Sequence, residues 1–445
     1  MAGMAYPMTR SRFLATLAGA SLRLANGSVA ARHNIVFVLA DDLGWAELGC
    51  YGNRFNETPN LDRLAARGVR FTDAYAAAPV CSPTRAAIMT GLHPARVGIT
   101  DYLRGDDPKY LSPDHFSLPK ALKAAGYHCG LIGKWHLMGD YSLRKGDPKL
   151  HGFDEVICSE SSYIGPGYYF PPYQHMKEVQ PRRPDEYLTD RLNQEAVEFI
   201  ERNRARPFFL FLSHYAPHTR LAGKPQLVAK YARKPGAGKN RNNPELAAMI
   251  ESIDEGVGMI LQALERLGLA ERTVVVFSSD NGGEDRVTSN APLRAGKSTL
   301  YEGGIRVPLI VAGPGFAKPG SASGTPVVST DLYPTFLQIA GAKPRPGLKL
   351  DGISFQQVLA RPAALRRRAI FWHYPLDKPH FLGGRSSGAV RQGDFKLIEF
   401  YDTGAIELYN LKDDPGETTD LSEKLPAVKN RLLTLLRNWR NSLPA

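Results

Sequence analysis

Two pairs of oxygen-bearing residues stand at the ends of apolar runs that lie far apart in the chain. Asp41-Asp42 closes Asn34-Ile35-Val36-Phe37-Val38-Leu39-Ala40, and Asp280-Asn281 closes Thr273-Val274-Val275-Val276-Phe277-Ser278-Ser279. An uninterrupted apolar run rich in β-branched residues reads as a strand buried on both faces. In open α/β sheets, ligands gather beyond the carboxyl ends of such strands. Adjacent carboxylates at one strand end are either caps for the next helix or ligands, and the matching second pair favours ligands. Asp41, Asp42, Asp280 and Asn281 offer only oxygen, which selects a hard cation, Ca²⁺ or Mg²⁺. A di-zinc site would be expected to bring histidine to these positions, and Asn281 stands where one would be wanted.

Other residues are suited to an anion. Cys81-Ser82-Pro83-Thr84-Arg85 leads into Ala86-Ala87-Ile88-Met89-Thr90-Gly91. Pro83 suits a first helical turn, Ser82 can cap it and Gly91 can close it. Cys81 is therefore expected just before a helix N-terminus, where backbone N–H groups and the dipole favour negative charge, and Arg85 adds a fixed cation one turn on. Lys134 and His136 follow a strand-like run at 127–132 and, being two apart, share a face in extended backbone. A further buried strand at 207–213 leads to His214 and His218, one of which should be functional. Lys297 lies among glycines in a loop able to approach a small anion closely.

Cys81 admits three readings. A buried structural cysteine is the bland one. A Cys-x5-Arg thiolate nucleophile fails, because that spacing lands on Ala87. The third is that Cys-x-Pro-x-Arg is the signal by which sulfatases have their cysteine oxidised to formylglycine. Ala78-Pro79-Val80, Met89-Thr90-Gly91, Gly133-Lys134-Trp135-His136, Pro217-His218, the run from Leu293 to Pro308 and Leu408-Tyr409-Asn410-Leu411-Lys412-Asp413-Asp414-Pro415-Gly416-Glu417 also look like that family, in its order. From about Asn34 onward the sequence resembles the type I sulfatases of the alkaline phosphatase superfamily.

The resemblance implies Ca²⁺ on Asp41, Asp42, Asp280 and Asn281, with an oxygen of the modified Cys81 completing the shell. It implies sulfate binding by Lys134 and Lys297, contact of His136 with formylglycine, and His218 as general acid for the leaving alcohol, with His214 as the alternative. Family members often have proline where this chain has Arg220. By the mechanism the resemblance implies, one hydroxyl of the hydrated formylglycine would attack sulfur, Asp280 helping to deprotonate it, and the other would give its proton to His136 as sulfate is expelled. Arg85 adds to the positive field. The catalytic set is thus Cys81, Arg85, Lys134, His136, His218 and Lys297.

The elements that must position these residues suggest an α/β fold. A large mixed, mostly parallel sheet is sandwiched by helices, as in alkaline phosphatase, with a small C-terminal subdomain of antiparallel strands and a closing helix. We expect an export segment over 1–30, a catalytic domain over 31–364 and the subdomain over 365–445. A helix is expected over 244–267, with Glu251 and Asp254 solvated, and an exposed loop over 224–243. Arg10 and Arg12, an apolar run at 13–22 and Ser28-Val29-Ala30 read as an export signal, which places the protein in the periplasm or outside the cell. Four cysteines without metal spacing exclude a dense disulfide framework. The net charge of +12 reads as a solvated surface or an attraction to polyanions, and nucleic-acid motifs are lacking.

The function expected is hydrolysis of sulfate monoesters, arylsulfatase in type, on sulfated carbohydrate and on aryl sulfates. A formylglycine-generating enzyme would act during maturation, and no membrane span is expected. The alternatives are a formylglycine-dependent phosphonate monoester hydrolase or phosphodiesterase, and a non-catalytic sulfated-glycan-binding protein. Pocket loops are expected over 101–115, 159–185 and 219–243.

Overall fold

The uninterrupted apolar runs become the inner strands of one sheet in a computed structural model, which describes residues 1, 3, 4, 32–163, 169–239, 241–315, 318–361, 365 and 369–444. The chain divides into two units, Met1–Ala31 and Arg32–Ala445, and the fold that follows is that of the second. The export signal expected within residues 1–30 and the basic run Arg366-Arg367-Arg368 lie outside the described residues. No helix among the described residues is long and apolar enough to cross a membrane.

The main sheet contains β1 (Asn34–Ala40), β2 (Val69–Tyr75), β3 (His128–Gly133), β4 (Glu155–Ile157), β5 (Phe208–Ser213), β6 (Thr273–Ser279), β7 (Arg306–Ala312), β8 (Ser321–Ser323) and β9 (Val327–Val328). Its order is β4-β3-β5-β1-β6-β7-β2-β8, with β9 also on β2. From β4 through β6 the strands are parallel, whereas β7 runs antiparallel to β6 and β2. Alternation along β1 shows why both faces are covered. Val36 and Val38 join the core beneath the helices Leu188–Asn203 and Pro244–Arg266. Ile35, Phe37 and Leu39 join the opposite core, under Cys81–Thr90 and Leu332–Ile339.

A second, antiparallel sheet follows the order β10 (Ile370–Tyr374), β11 (Ser387–Gln392), β12 (Phe395–Phe400), β13 (Ile406–Asn410). The closing helix Pro426–Arg440 packs Leu432 and Leu436 on Val390, Leu397 and Leu408. Trp372, Ala389 and Ile398, on the other face, pack with Tyr75, Val80, Ala87 and Ile305 of the main body. Lys396 is fully buried there, and its ammonium bonds Glu302 and Glu417 at 2.9 Å each. The second sheet is thus clamped beside the start of the helix that carries Cys81.

Several local expectations change. Asp254 is 1% exposed rather than solvated, because it accepts N–H bonds from Asn60 and Leu61 at the start of the helix Pro59–Arg67. Glu251 is paired with Lys230 at 2.8 Å. Residues 224–243 are not simply a loop: Pro225–Ala232 is helical, and Lys224, Lys230 and Lys234 all meet carboxylates. Their charges are therefore largely answered within the chain, which weakens the polyanion reading of that run.

Replacing Lys396 with Met should leave buried Glu417 without its cation, Glu302 keeping Arg306, and lower the free energy of unfolding by about 3–5 kcal/mol. Urea denaturation checks this; a loss below about 1 kcal/mol, the scale of an exposed pair, would contradict it.

Candidate active site

Strand register brings the two acidic pairs together. β1 and β6 are parallel neighbours with Ala40 opposite Ser279, so Asp41-Asp42 and Asp280-Asn281 leave the sheet side by side. Asp42 adopts a left-handed backbone, φ 64°, and its N–H donates to Asp280 Oδ1 at 3.2 Å. Carboxylate oxygens of Asp41, Asp42 and Asp280 lie within 4.8 Å of one another, all buried. Asn281 donates its amide to Asp42 Oδ1 at 2.8 Å, which leaves its own Oδ1 without a hydrogen-bond partner. Asp41 Oδ1 is likewise buried and unpartnered. A buried acceptor left unmade costs about 1–3 kcal/mol, so two orphaned oxygens in an all-oxygen cluster fit a hard divalent cation.

Three cations answer the three carboxylates. Arg85 donates to Asp280 Oδ2 from Nε at 2.9 Å, and its Nη2 lies 2.8 Å from the same oxygen. Its Nη1 donates to the Lys134 carbonyl and to Ser213 Oγ, at 3.1 and 2.6 Å. Lys134 Nζ donates to Asp41 Oδ2 and Lys297 Nζ to Asp42 Oδ2, each at 2.6 Å. The neighbouring carboxylates are pushed in opposite directions. Burial drives Asp41 up, against the pull of Lys134. Burial also works against ionised Asp42, but Lys297, His218 and Lys134 together hold its carboxyl well below the usual range.

Cys81 does not stand before the helix but is its first residue, with Val80 at the cap position. Ser82 does not cap: its hydroxyl turns away to accept the Leu103 N–H at 3.1 Å. Gly91 closes the helix in the left-handed region, as expected. Cys81 Sγ lies 3.3 Å from His136 Nδ1, while His136 Nε2 donates to the Leu103 carbonyl at 2.9 Å. Nδ1 is therefore the bare nitrogen, facing the thiol. Burial, reinforced by Lys134, holds His136 neutral. Burial also pushes the Cys81 thiol up, so the sulfur is not a ready thiolate despite its place at a helix start.

His136 has φ 54°, so the extended backbone expected from Lys134 to His136 is broken by a left-handed residue. Both side chains still reach the cluster. His218 Nε2 lies 3.6 Å from Asp42 Oδ2, and its Nδ1 donates to the Thr219 carbonyl. Burial and the Lys297 ammonium push this imidazole down to about 3. His214, the alternative, is 1% exposed and neither ring nitrogen has a hydrogen-bond partner. The structure thus brings Asp41, Asp42, Cys81, Arg85, Lys134, His136, His218, Asp280, Asn281 and Lys297 to one cluster.

Sequence reasoning missed Glu160. It is 5% exposed and accepts the N–H groups of Trp135 and His136 and the hydroxyls of Tyr141 and Tyr215. These bonds hold the backbone that aims His136 at Cys81. A glutamate in Cys158-Ser159-Glu160-Ser161 carries no motif; only the fold reveals its donors.

The sulfatase family model matches residues 33–342. The chain belongs to the sulfatase family. It is a sulfuric ester hydrolase by that membership, and a second model, for the C-terminal region of N-sulphoglucosamine sulphohydrolase, matches residues 295–441. A sulfatase from Formosa agariphila is 33% identical over 92% of this chain and 89% of its own. The N-acetylgalactosamine-6-sulfatase of Homo sapiens is 33% identical over 87% of this chain and 81% of its own. The crystal structure of Ps i-CgsB in complex with k-i-k-neocarrahexaose is 31% identical, with a TM-score of 0.81 over 92% of each chain.

In this sulfatase, Glu160→Gln should lower kcat on 4-nitrophenyl sulfate by roughly 10- to 100-fold, the usual scale for a group that orients an active-site ligand. KM and the urea midpoint should stay near the unaltered protein's. An unchanged kcat would remove Glu160 from the site's support.

Proposed function

We propose that this sulfatase hydrolyses a sulfate monoester on a carbohydrate, through a formylglycine made from Cys81, with Ca²⁺ held by Asp41, Asp42, Asp280, Asn281 and an oxygen of the modified residue. The observation that carries the reading is the setting of Cys81. Its sulfur is buried at a helix start, 3.3 Å from a bare imidazole nitrogen and beside Lys134 and Lys297, yet burial keeps it a thiol. Such a cysteine is a poor nucleophile in its own right, and the surrounding groups suit an oxygen nucleophile and an anion. The carbohydrate preference draws on the substrates printed in the names of its relatives, N-acetylgalactosamine-6-sulfatase and the neocarrahexaose complex.

Formylglycine, once formed from Cys81 and hydrated, would supply an oxygen nucleophile and a second hydroxyl on the same carbon. Bound Ca²⁺ supplies positive charge to the sulfate oxygens. Lys134 and Lys297 hold the sulfate group and Arg85 fixes Asp280, a field that stabilises charge developing in the transition state. His136 Nδ1, bare and facing residue 81, accepts a proton from the modified side chain. His218 is neutral at rest with Nε2 toward Asp42. An anionic substrate beside Nε2 raises its proton affinity, so the proton His218 gives to the leaving oxygen is taken up with the substrate. The segment over residues 1–30 directs export to the periplasm or the medium, after a formylglycine-generating enzyme has acted.

The test is to export the protein from a host that carries such an enzyme and weigh the proteolytic peptide containing Cys81, alongside a control sulfatase. We expect the mass of the aldehyde or its hydrate, with turnover of 4-nitrophenyl sulfate that Cys81→Ala lowers by at least ~10³-fold. Unmodified Cys81 in a protein that still turns over the ester, or a fully converted protein without activity, would overturn the mechanism.

A further inference from the structure

The mouth of the site is edged by a chain of contacts that runs from the His218 loop to the His136 loop. Thr219, next to His218, donates its hydroxyl to Glu284 Oε2 at 2.8 Å. Glu284, 4% exposed, receives Arg286 through Nε at 2.6 Å. Arg286 is more than half exposed, and its guanidinium lies 5.4 Å from the ring centroid of Phe381. Phe381 stacks on His380, centroids 4.4 Å apart, and His380 meets Tyr102 edge-on at 5.5 Å. Arg104 lies 4.3 Å over Tyr102, and a Cβ on the following Gly105 would stand 2.9 Å from Tyr163. Tyr163 in turn faces His136, 6.4 Å between ring centroids.

Two observations place this rim over the reacting groups. The loop between β10 and β11 leans on the segment that carries Lys297: a Cβ on Gly384 would fall 1.9 Å from the Ser298 carbonyl. The charges of Lys297 and Asp42 reach His380, and that of Lys134 reaches Tyr163.

Rim composition defines what it recognises. Phe381 is 68% and Tyr163 42% exposed, large apolar faces turned to water beside a polar site. Between them stand Arg286 and Arg104, each with one carboxylate partner, Glu284 and Asp101, and each still half exposed. A guanidinium has five N–H donors, so one carboxylate leaves donors over for a second anion. Flat aromatic faces suit the C–H faces of a pyranose, and the forks suit sulfate or carboxylate. A neutral aryl leaving group would leave both arginines unused.

Resting on the sulfatase reading above, we infer that Arg286, Phe381, Arg104 and Tyr163 form a subsite for the sugar adjoining the cleaved ester, and that the preferred substrate is an oligosaccharide bearing a second anionic group there. Binding energy from that remote group is available to position the ester.

The probes are 4-nitrophenyl sulfate, a monosulfated disaccharide with a neutral neighbour, the same disaccharide with a second sulfate, and one with a uronate neighbour. Arg286→Ala and Phe381→Ala should leave kcat/KM on 4-nitrophenyl sulfate within about two-fold and lower it on the charged disaccharides by on the order of ten-fold or more. Arg286→Ala should also narrow the preference for charged over neutral disaccharide. Preference for the second sulfate or for the uronate assigns which anion the subsite takes. Equal losses on all probes, or no loss on the charged ones, would overturn the subsite. Calorimetric binding of the disulfated disaccharide to Cys81→Ala protein, with and without Arg286→Ala, separates the two proposals. Roughly ten-fold weaker binding on losing Arg286 supports the subsite even if the unaltered protein hydrolyses nothing, and unchanged binding overturns it whatever the turnover.

Discussion

Three carboxylates and three cations are buried against one another where β1 and β6 leave the sheet, and the rest of the site depends on that balance. Asp41, Asp42 and Asp280 would be costly to bury alone, and so would Arg85, Lys134 and Lys297. Each is tolerated because a partner of opposite sign stands within hydrogen-bond distance. With all three carboxylates ionised the cluster is neutral, and a divalent cation held there would leave a surplus of two positive charges. An ester sulfate carries one negative charge, and by the mechanism proposed above its oxygens would gather more as a hydroxyl attacks. The surplus therefore matches the transition state better than the ground state, which is the condition for a rate gain.

The fold supplies this cluster from distant parts of the chain at little local cost. Parallel pairing of β1 with β5 and β6 fixes three strand ends in register, and Ser213, at the end of β5, anchors Arg85. The Cys81 helix is held from the far side by the antiparallel sheet, whose Trp372, Ala389 and Ile398 share a core with Val80 and Ala87. That second sheet also sends the loop with His380 and Phe381 back over the mouth. Its place in the molecule is thus structural, as a support for the Cys81 helix, and, by the subsite proposed above, also local to the substrate.

Much of this was legible because the relevant signals are short-range. The inner strands announce themselves as uninterrupted β-branched runs, and the acidic pairs sit directly at their ends. Gly91 closes its helix as its lack of a side chain allows. What escaped was set by partners distant in sequence. Ser82 looks like a cap, but its hydroxyl finds Leu103. Lys134 and His136 look like an extended pair, but the backbone is left-handed at His136, its N–H held by Glu160. Asp254 looks solvated on its helix, and becomes a cap for another helix almost two hundred residues earlier in the chain. Half of the rim lies in loops expected at the pocket, Arg104 in 101–115 and Tyr163 in 159–185, with 219–243 the third; Arg286, after β6, and Phe381, between β10 and β11, come from segments that carried no such signal.

The most direct measurement is the metal content and cation affinity of the converted protein, by elemental analysis and calorimetry after chelation. We expect one Ca²⁺ per chain, bound in preference to Zn²⁺. Its affinity should fall by at least about ten-fold in Asp280→Asn, where a full negative charge is lost from a site with no other acid to spare. A chain that takes up no Ca²⁺, or that prefers Zn²⁺, would contradict the view that orphaned oxygens at two strand ends wait for a hard cation.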